Sequence, residues 1–249
     1  MCNRFLPLTL LLFTAFNVNA DFTAGGDAYK RGDFAAAAKE FRPLAERGDH
    51  RAMYALGSMY AAGLGVDKDL NMAFELFDEA AKNGRVDAMY KLGLMYEEGL
   101  ATQQDYRKAL RYYQKSARQG YPLSQYRFGL MYARGKGVSQ NPVTASAWLI
   151  IAGHYFIYES GKTDNPANSA TGFEQQILFT QQQELDRITR ALIDELQALK
   201  KQLTQEEIEL VRQKVIEFEK YKKEYHSNSV KNINANGLYE KLFLPDTLQ

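Results

Sequence analysis

The side chains in this sequence that could do chemistry are three histidines, an adjacent pair of glutamates and a recurring set of tyrosines. His50, His154 and His226 are scattered. None stands in a His-Glu-x-x-His spacing, which would turn two imidazoles to one helix face and let them share a metal ion. No Gly-x-Ser-x-Gly elbow presents a serine nucleophile. No Gly-x-x-x-x-Gly-Lys-Ser/Thr loop offers backbone N–H groups to a phosphate. Glu97-Glu98 is the carboxylate pair to weigh, because sugar-cleaving enzymes work with two. Adjacent helical residues point about 100° apart, so these two do not face one bond and read as a solvated surface. No catalytic residue, no metal and no cofactor is expected.

Tyr54, Tyr90 and Tyr126 are more informative, because they recur at a step of 36 residues. Around them stand Lys91, Leu94, Glu97, Glu98, Arg127, Leu130 and Arg134. Aromatic faces flanked by charges suit the non-covalent binding of a peptide or protein, with affinity from a few aromatic and Arg anchors. The other reading is that these tyrosines pack between neighbouring structural units. The sequence leaves both open.

The elements that position them follow from internal repetition, which decides the architecture. Ala52–Tyr60 (AMYALGSMY) returns as Ala88–Tyr96 (AMYKLGLMY) and again as Ser124–Tyr132 (SQYRFGLMY). Gly57, Gly93 and Gly129 keep the step, as do Gly63, Gly99 and Gly135. Ala37 begins the series Ala73, Ala109, Ala145; Gly48 leads to Gly84 and Gly120, and Asp33 to Asp69 and Asp105. Each unit reads as two helices. In the first, Ala52, Leu56, Met59, Tyr60 and Gly63 share one face. A glycine inside a helix costs about 1 kcal/mol relative to Ala, so the recurrence of Gly57 predicts close approach of the partner helix. Gly63-Leu64-Gly65 ends the first helix. The second begins near Asp69, turns Ala73, Phe77, Ala80 and Ala81 inward, and stops at Asn83-Gly84. Such a pair cannot bury its apolar face alone, so units must stack.

These motifs resemble the Sel1-like repeat family, relatives of the tetratricopeptide repeats. The resemblance lies in Leu56-Gly57…Tyr60, in Gly63-Leu64-Gly65-Val66 and in Ala80-Ala81…Gly84. It implies an all-α, right-handed solenoid of helix pairs with the first helices lining a concave surface. Residues 52–87, 88–123 and 124–158 form the three Sel1-like units. Residues 21–51, with Ala28-Tyr29…Phe34 and no long turn, look like a tetratricopeptide-like capping unit. Two departures carry expectations. Gly99-Leu100-Ala101-Thr102 should change the second unit's loop but not its helices. Ala152-Gly153-His154-Tyr155 replaces the third unit's helix stop, so that helix should run longer.

Beyond a polar loop at 159–172, Leu185, Ile188, Leu192, Leu196, Leu199 and Leu203 mark one helix face. Thr204-Gln205-Glu206-Glu207 reads as a capping box, followed by Ile208, Val211, Val215 and Phe218 on a second helix. Residues 173–225 thus read as an antiparallel helical hairpin, either a cap over the solenoid's open end or a self-association arm. The tail covers 226–249.

The first 20 residues read as a secretory signal peptide, with Arg4, an apolar run Phe5–Phe16 and Val18-Asn19-Ala20 at the cleavage site. That run is shorter than the roughly 20 residues of a membrane span. Cleavage before Asp21 removes Cys2, the one cysteine, and leaves no disulfide. Of the 31 basic and 30 acidic residues it removes only Arg4. A neutral chain exerts no overall pull on nucleic acid. The expectation is a periplasmic or secreted, non-catalytic scaffold or adaptor of the bacterial cell envelope, holding a protein partner in its concave face. A cell-wall (peptidoglycan)-binding or -processing protein and a self-associating structural subunit are the alternatives.

Overall fold

The computed structural model describes residues 22–160 and 173–225. The expected signal peptide, most of the polar loop and the tail lie outside the described residues. The described elements are helices: α1 Phe22–Lys30, α2 Phe34–Glu46, α3 His50–Ala62, α4 Leu70–Lys82, α5 Val86–Glu98, α6 Tyr106–Arg118, α7 Pro122–Arg134, α8 Pro142–Ser160, α9 Phe173–Lys200 and α10 Gln205–Tyr225. From α1 to α9 each packs on the next, as an all-α solenoid of helix pairs requires.

The recurring polar residues set the helix starts. Asp33 accepts from the Ala36 N–H at 3.1 Å, Asp69 from Asn71 at 2.9 Å and Asp105 from Lys108 at 2.9 Å. Each satisfies a donor that the first helical turn leaves open. The inter-helix glycines act as the sequence predicts. A Cβ on Gly57 would stand 3.0 Å from the Phe77 ring, and one on Gly93 only 2.5 Å from that of Tyr113. The same packing holds the leading pair, where Gly25 lies under Phe41. Gly25 and Phe41 are four residues closer in sequence than Gly57 and Phe77, which is the length that the shorter α1–α2 turn omits.

The second unit's turn corrects one expectation. Its loop is kept rather than changed: Gly99 adopts φ 70° where Gly63 has 72°, and Ala101 adopts φ 56° where Gly65 has 68°. Ala101 is the one non-glycine residue with positive φ among the described residues. The expected extension of the third unit is present, since α8 runs 19 residues against 13 for α4 and α6.

Three apolar clusters follow the chain. Phe41, Leu56, Met59, Phe77 and Leu92 belong to the first, and Tyr90, Tyr113, Phe128 and Met131 to the second. The third gathers Leu149, Ile150 and Phe156 of α8 with Leu192, Leu196 and Leu199 of α9 and Val211 and Val215 of α10. Both C-terminal helices pack more closely on α8 than on each other. Their junction is a capping box: the Thr204 N–H donates to Glu207 at 2.8 Å, and the Glu207 N–H donates to Thr204 Oγ1 at 3.2 Å.

Candidate functional site

The candidate residues all lie on the first helices of the three units, α3, α5 and α7, and the structure distributes them unequally. Tyr54 is half-buried and Tyr90 is 8% exposed. Tyr54 packs on Phe77 at 5.8 Å between ring centroids, Tyr90 on Tyr113 at 6.0 Å, and Tyr126 on Phe156 at 6.1 Å. The rings therefore meet second-helix aromatics instead of forming a continuous exposed ladder. Burial pushes the Tyr54 phenol up to about 12 and raises those of Tyr90 and Tyr126. All three stay protonated near neutrality, as hydrogen-bond donors rather than bases.

Glu97 and Glu98 diverge. Glu98 is exposed. Glu97 turns inward, where its Oε2 accepts from the Tyr113 hydroxyl at 2.8 Å and stands 3.6 Å from Arg127. Its Oε1 lies 3.6 Å from Lys136. One carboxylate thus joins α5, α6, α7 and the turn after α7. With three partners around it, Glu97 is a knot between the second and third units. Burial, together with the Glu97 carboxylate, raises the Tyr113 phenol as well.

At the third unit α9, which packs on α8, also approaches the face. Leu130 is buried in the cluster that also holds Leu192 and Leu196 of α9, and Tyr126 packs against it. Arg134 reaches Glu195 of α9 at 3.2 Å. One unit earlier, Lys91 and Leu94 keep part of their surface, and burial lowers the Lys91 amine. Arg127 also remains partly exposed.

Sequence reasoning missed several residues that hold this face together. Arg85 lies over the Tyr54 ring, and Tyr121 packs on Tyr90. Ser124 Oγ donates to Ser116 Oγ at 2.8 Å, and Ser116 Oγ donates to the Val86 carbonyl at 2.7 Å, a buried polar relay from α7 through α6 to α5. Arg85 and Tyr121 are one repeat step apart. That spacing was a readable signal, but the residue types differ and so escape a search for identity.

The arrangement offers neutral phenols, fixed charges and apolar surface. Among the described residues no group of three His, Cys, Asp or Glu is placed to hold a metal. No described helix is long and apolar enough to cross a membrane.

Comparison with known proteins places these elements. The Sel1 repeat family matches residues 50–84, 86–121 and 122–153. Among solved structures, a Sel1 repeat protein from Oxalobacter formigenes is 28% identical with a TM-score of 0.44, covering 50% of this chain and 90% of that one. A protective antigen of uropathogenic Escherichia coli strains, described as displaying an SLR fold, is 22% identical with a TM-score of 0.53. That match covers 88% of this chain and 52% of the antigen, so the chain spans about half the antigen's length and the likeness is one of fold. A Pseudomonas aeruginosa protein is 19% identical with a TM-score of 0.32, covering 68% and 81%. No curated protein matches the sequence. Sel1-repeat proteins are generally non-catalytic protein-interaction scaffolds. Helices α3 to α8 are thus three Sel1 repeats.

Proposed function

We propose that the chain is an adaptor or regulator of the bacterial cell envelope that holds a partner protein against the face formed by its first helices. The observation that carries this reading is the approach of α9, packed on α8, to α7. There a Leu-striped helix joins the cluster that includes Leu130, and its Glu195 meets Arg134. The face therefore accommodates an amphipathic helix with an acidic flank. Lys91 and Leu94 sit one repeat step before Arg127 and Leu130 and repeat their chemistry, while Glu98 stands at the register of Arg134 with the opposite charge. A second helix would therefore meet the same cation and apolar anchor but a different flank. Amphipathic helices bind such grooves through a few apolar anchors flanked by charge pairs. The proposed location is the periplasm or the exterior, on the strength of the Arg4 to Ala20 signal pattern.

Site-specific photo-crosslinking in cells tests the reading, with the reactive group at Lys91, Leu94 or Glu98. Tyr90 is too buried to report on a partner. A discrete crosslinked protein at these positions, absent from a control position on the exposed side of α4, is expected. Equal crosslinking at both faces, or none at all three positions, would count against it.

A further inference from the structure

Helix α6 concentrates charge in a chain that is otherwise balanced. Arg107, Lys108, Arg111, Lys115 and Arg118 are all exposed, and the helix carries no carboxylate. Successive steps of about 100° place all five within an arc of about 100°. Like charges three and four residues apart destabilise a helix by a few tenths of a kcal/mol per pair. Among the described residues none of the five closes an ion pair; Lys108 and Lys115 lie over the rings of Tyr96 and Tyr112 at 5.1 and 6.0 Å. Compensation within the described protein is thus partial: two of the cations rest on aromatic rings, and Asp105 at the helix start feels the charges of Lys108 and Arg111.

The neighbouring units differ in kind at the same register. On α4 the positions of Arg111 and Lys115 are Glu75 and Glu79, and on α8 they are Ala147 and Ile151. Beside the basic face, where α8 meets α10, lies a groove of about 460 Å³. Its walls include Arg118, Trp148, Ile151, Lys214, Glu217 and Phe218. The Trp148 and Phe218 rings meet edge to face at 5.1 Å. Arg118 belongs to both features, so the cationic stripe runs directly into the apolar groove.

We infer that this outer surface binds an acidic peptide segment of another protein. Its carboxylates lie along Arg107, Arg111 and Lys115, and an apolar or aromatic side chain enters the Trp148–Phe218 groove. Trp and Arg are the residue types that most often anchor protein interfaces, and opposite charge selects and orients the partner. A flat lipid surface would meet the cations and leave the groove unused. A polyphosphate would meet Glu217 at its wall. The surface is carried by second helices and α10, apart from the first-helix face, and does not depend on the function proposed for that face.

Selection from a displayed library of random dodecapeptides against the full chain tests the inference. Vesicles containing phosphatidylglycerol and single-stranded DNA serve as competing probes. The expected peptides carry Asp or Glu beside a Trp, Phe or Leu. Their affinity, read by fluorescence anisotropy, should fall about tenfold or more in the R111E/K115E double variant and with rising salt. Ile151→Glu should weaken them by loss of the groove. Circular dichroism checks that the variants remain folded, and both Arg111 and Lys115 are exposed enough to change without repacking. The proposal is overturned by peptides without acidic bias, by equal affinity for R111E/K115E, or by failure to enrich any peptide. Vesicle or DNA binding that alone responds to R111E/K115E overturns it too.

Discussion

The guanidinium of Arg85 lies over the ring of Tyr54, 5.2 Å from its centroid. The contact runs from the residue that leads into α5 back to α3, the first helix before it. It has counterparts on both sides: Arg51 lies 4.7 Å over Phe22, and Tyr121 packs at 5.4 Å on Tyr90. A planar group at the start of α3, α5 and α7 thus covers the aromatic of the first helix before it. Packing between successive first helices therefore accounts for the placement of Tyr54 and Tyr90, and Tyr126 packs within its own unit on Phe156.

Replacement of Arg85 tests the contact. A cation over a tyrosine face contributes about 0.5–2 kcal/mol, so Arg85→Ala should lower stability by about 1 kcal/mol in urea unfolding. Arg85→Tyr, which copies the Tyr121 position, should recover most of that loss. Both variants lose the Arg85–Asp87 ion pair, so the difference between them isolates the stacking. Equal losses would reject it.

Ala101 holds a backbone conformation that its side chain disfavours, at φ 56°. The left-handed region costs a non-glycine residue about 1–2 kcal/mol. Ala101→Gly relieves that cost while adding some freedom to the unfolded chain. The expected net gain is about 0.5–1 kcal/mol, seen as a higher melting temperature. A loss of stability would show that the Ala101 methyl makes contacts worth more than the backbone strain.

Gly93 and Gly26 form a contrasting pair. Both are helical, and replacement by Ala gains about 1 kcal/mol of helix propensity in open surroundings. A Cβ on Gly26 meets nothing within 4 Å, so Gly26→Ala should stabilise. On Gly93 it would stand 2.5 Å from the Tyr113 ring, which is fully buried and held by Glu97. Overpacking of that kind costs about 1–3 kcal/mol, so Gly93→Ala should destabilise by up to about 2 kcal/mol after the propensity gain. Thermal unfolding of the two variants should move in opposite directions.

The repeat made most of this architecture legible in the sequence. Helix starts were marked by aspartates at a fixed step, close approaches by recurring glycines, and the α9–α10 junction by Thr204 and Glu207. Such signals are local, and chemistry at one position suffices to read them. The candidate face was less legible, because its state depends on which distant residue arrives. Leu130 reads as surface in the sequence, yet it is buried in a cluster that α8 builds with α9 and α10 later in the chain. Glu97 looked like half of an exposed pair, yet Tyr113, Arg127 and Lys136 converge on it from three further segments. At Ala101 the backbone kept a glycine's conformation without the glycine, because the flanking Gly99 cap and the stacked units hold the turn.

Asp49 makes the pH dependence of the leading boundary testable. Its carboxylate caps α3 and receives two hydrogen bonds from the Arg51 side chain, at 3.2 and 2.8 Å. That side chain holds the Asp49 carboxyl at about 2, below its ordinary 3.8. A carboxyl depressed in the folded state favours folding above its unfolded value. That contribution is present above pH 3.8 and is lost as the pH falls towards 2. Arg51 is half exposed, so solvent screening keeps the effect below about 1 kcal/mol. Asp49→Asn retains the helix cap but removes the charge. Melting temperatures taken through that acid window should therefore fall less steeply for the variant than for the parent chain. Parallel slopes would mean that the Arg51 pairing is no stronger in the folded protein than in the unfolded one.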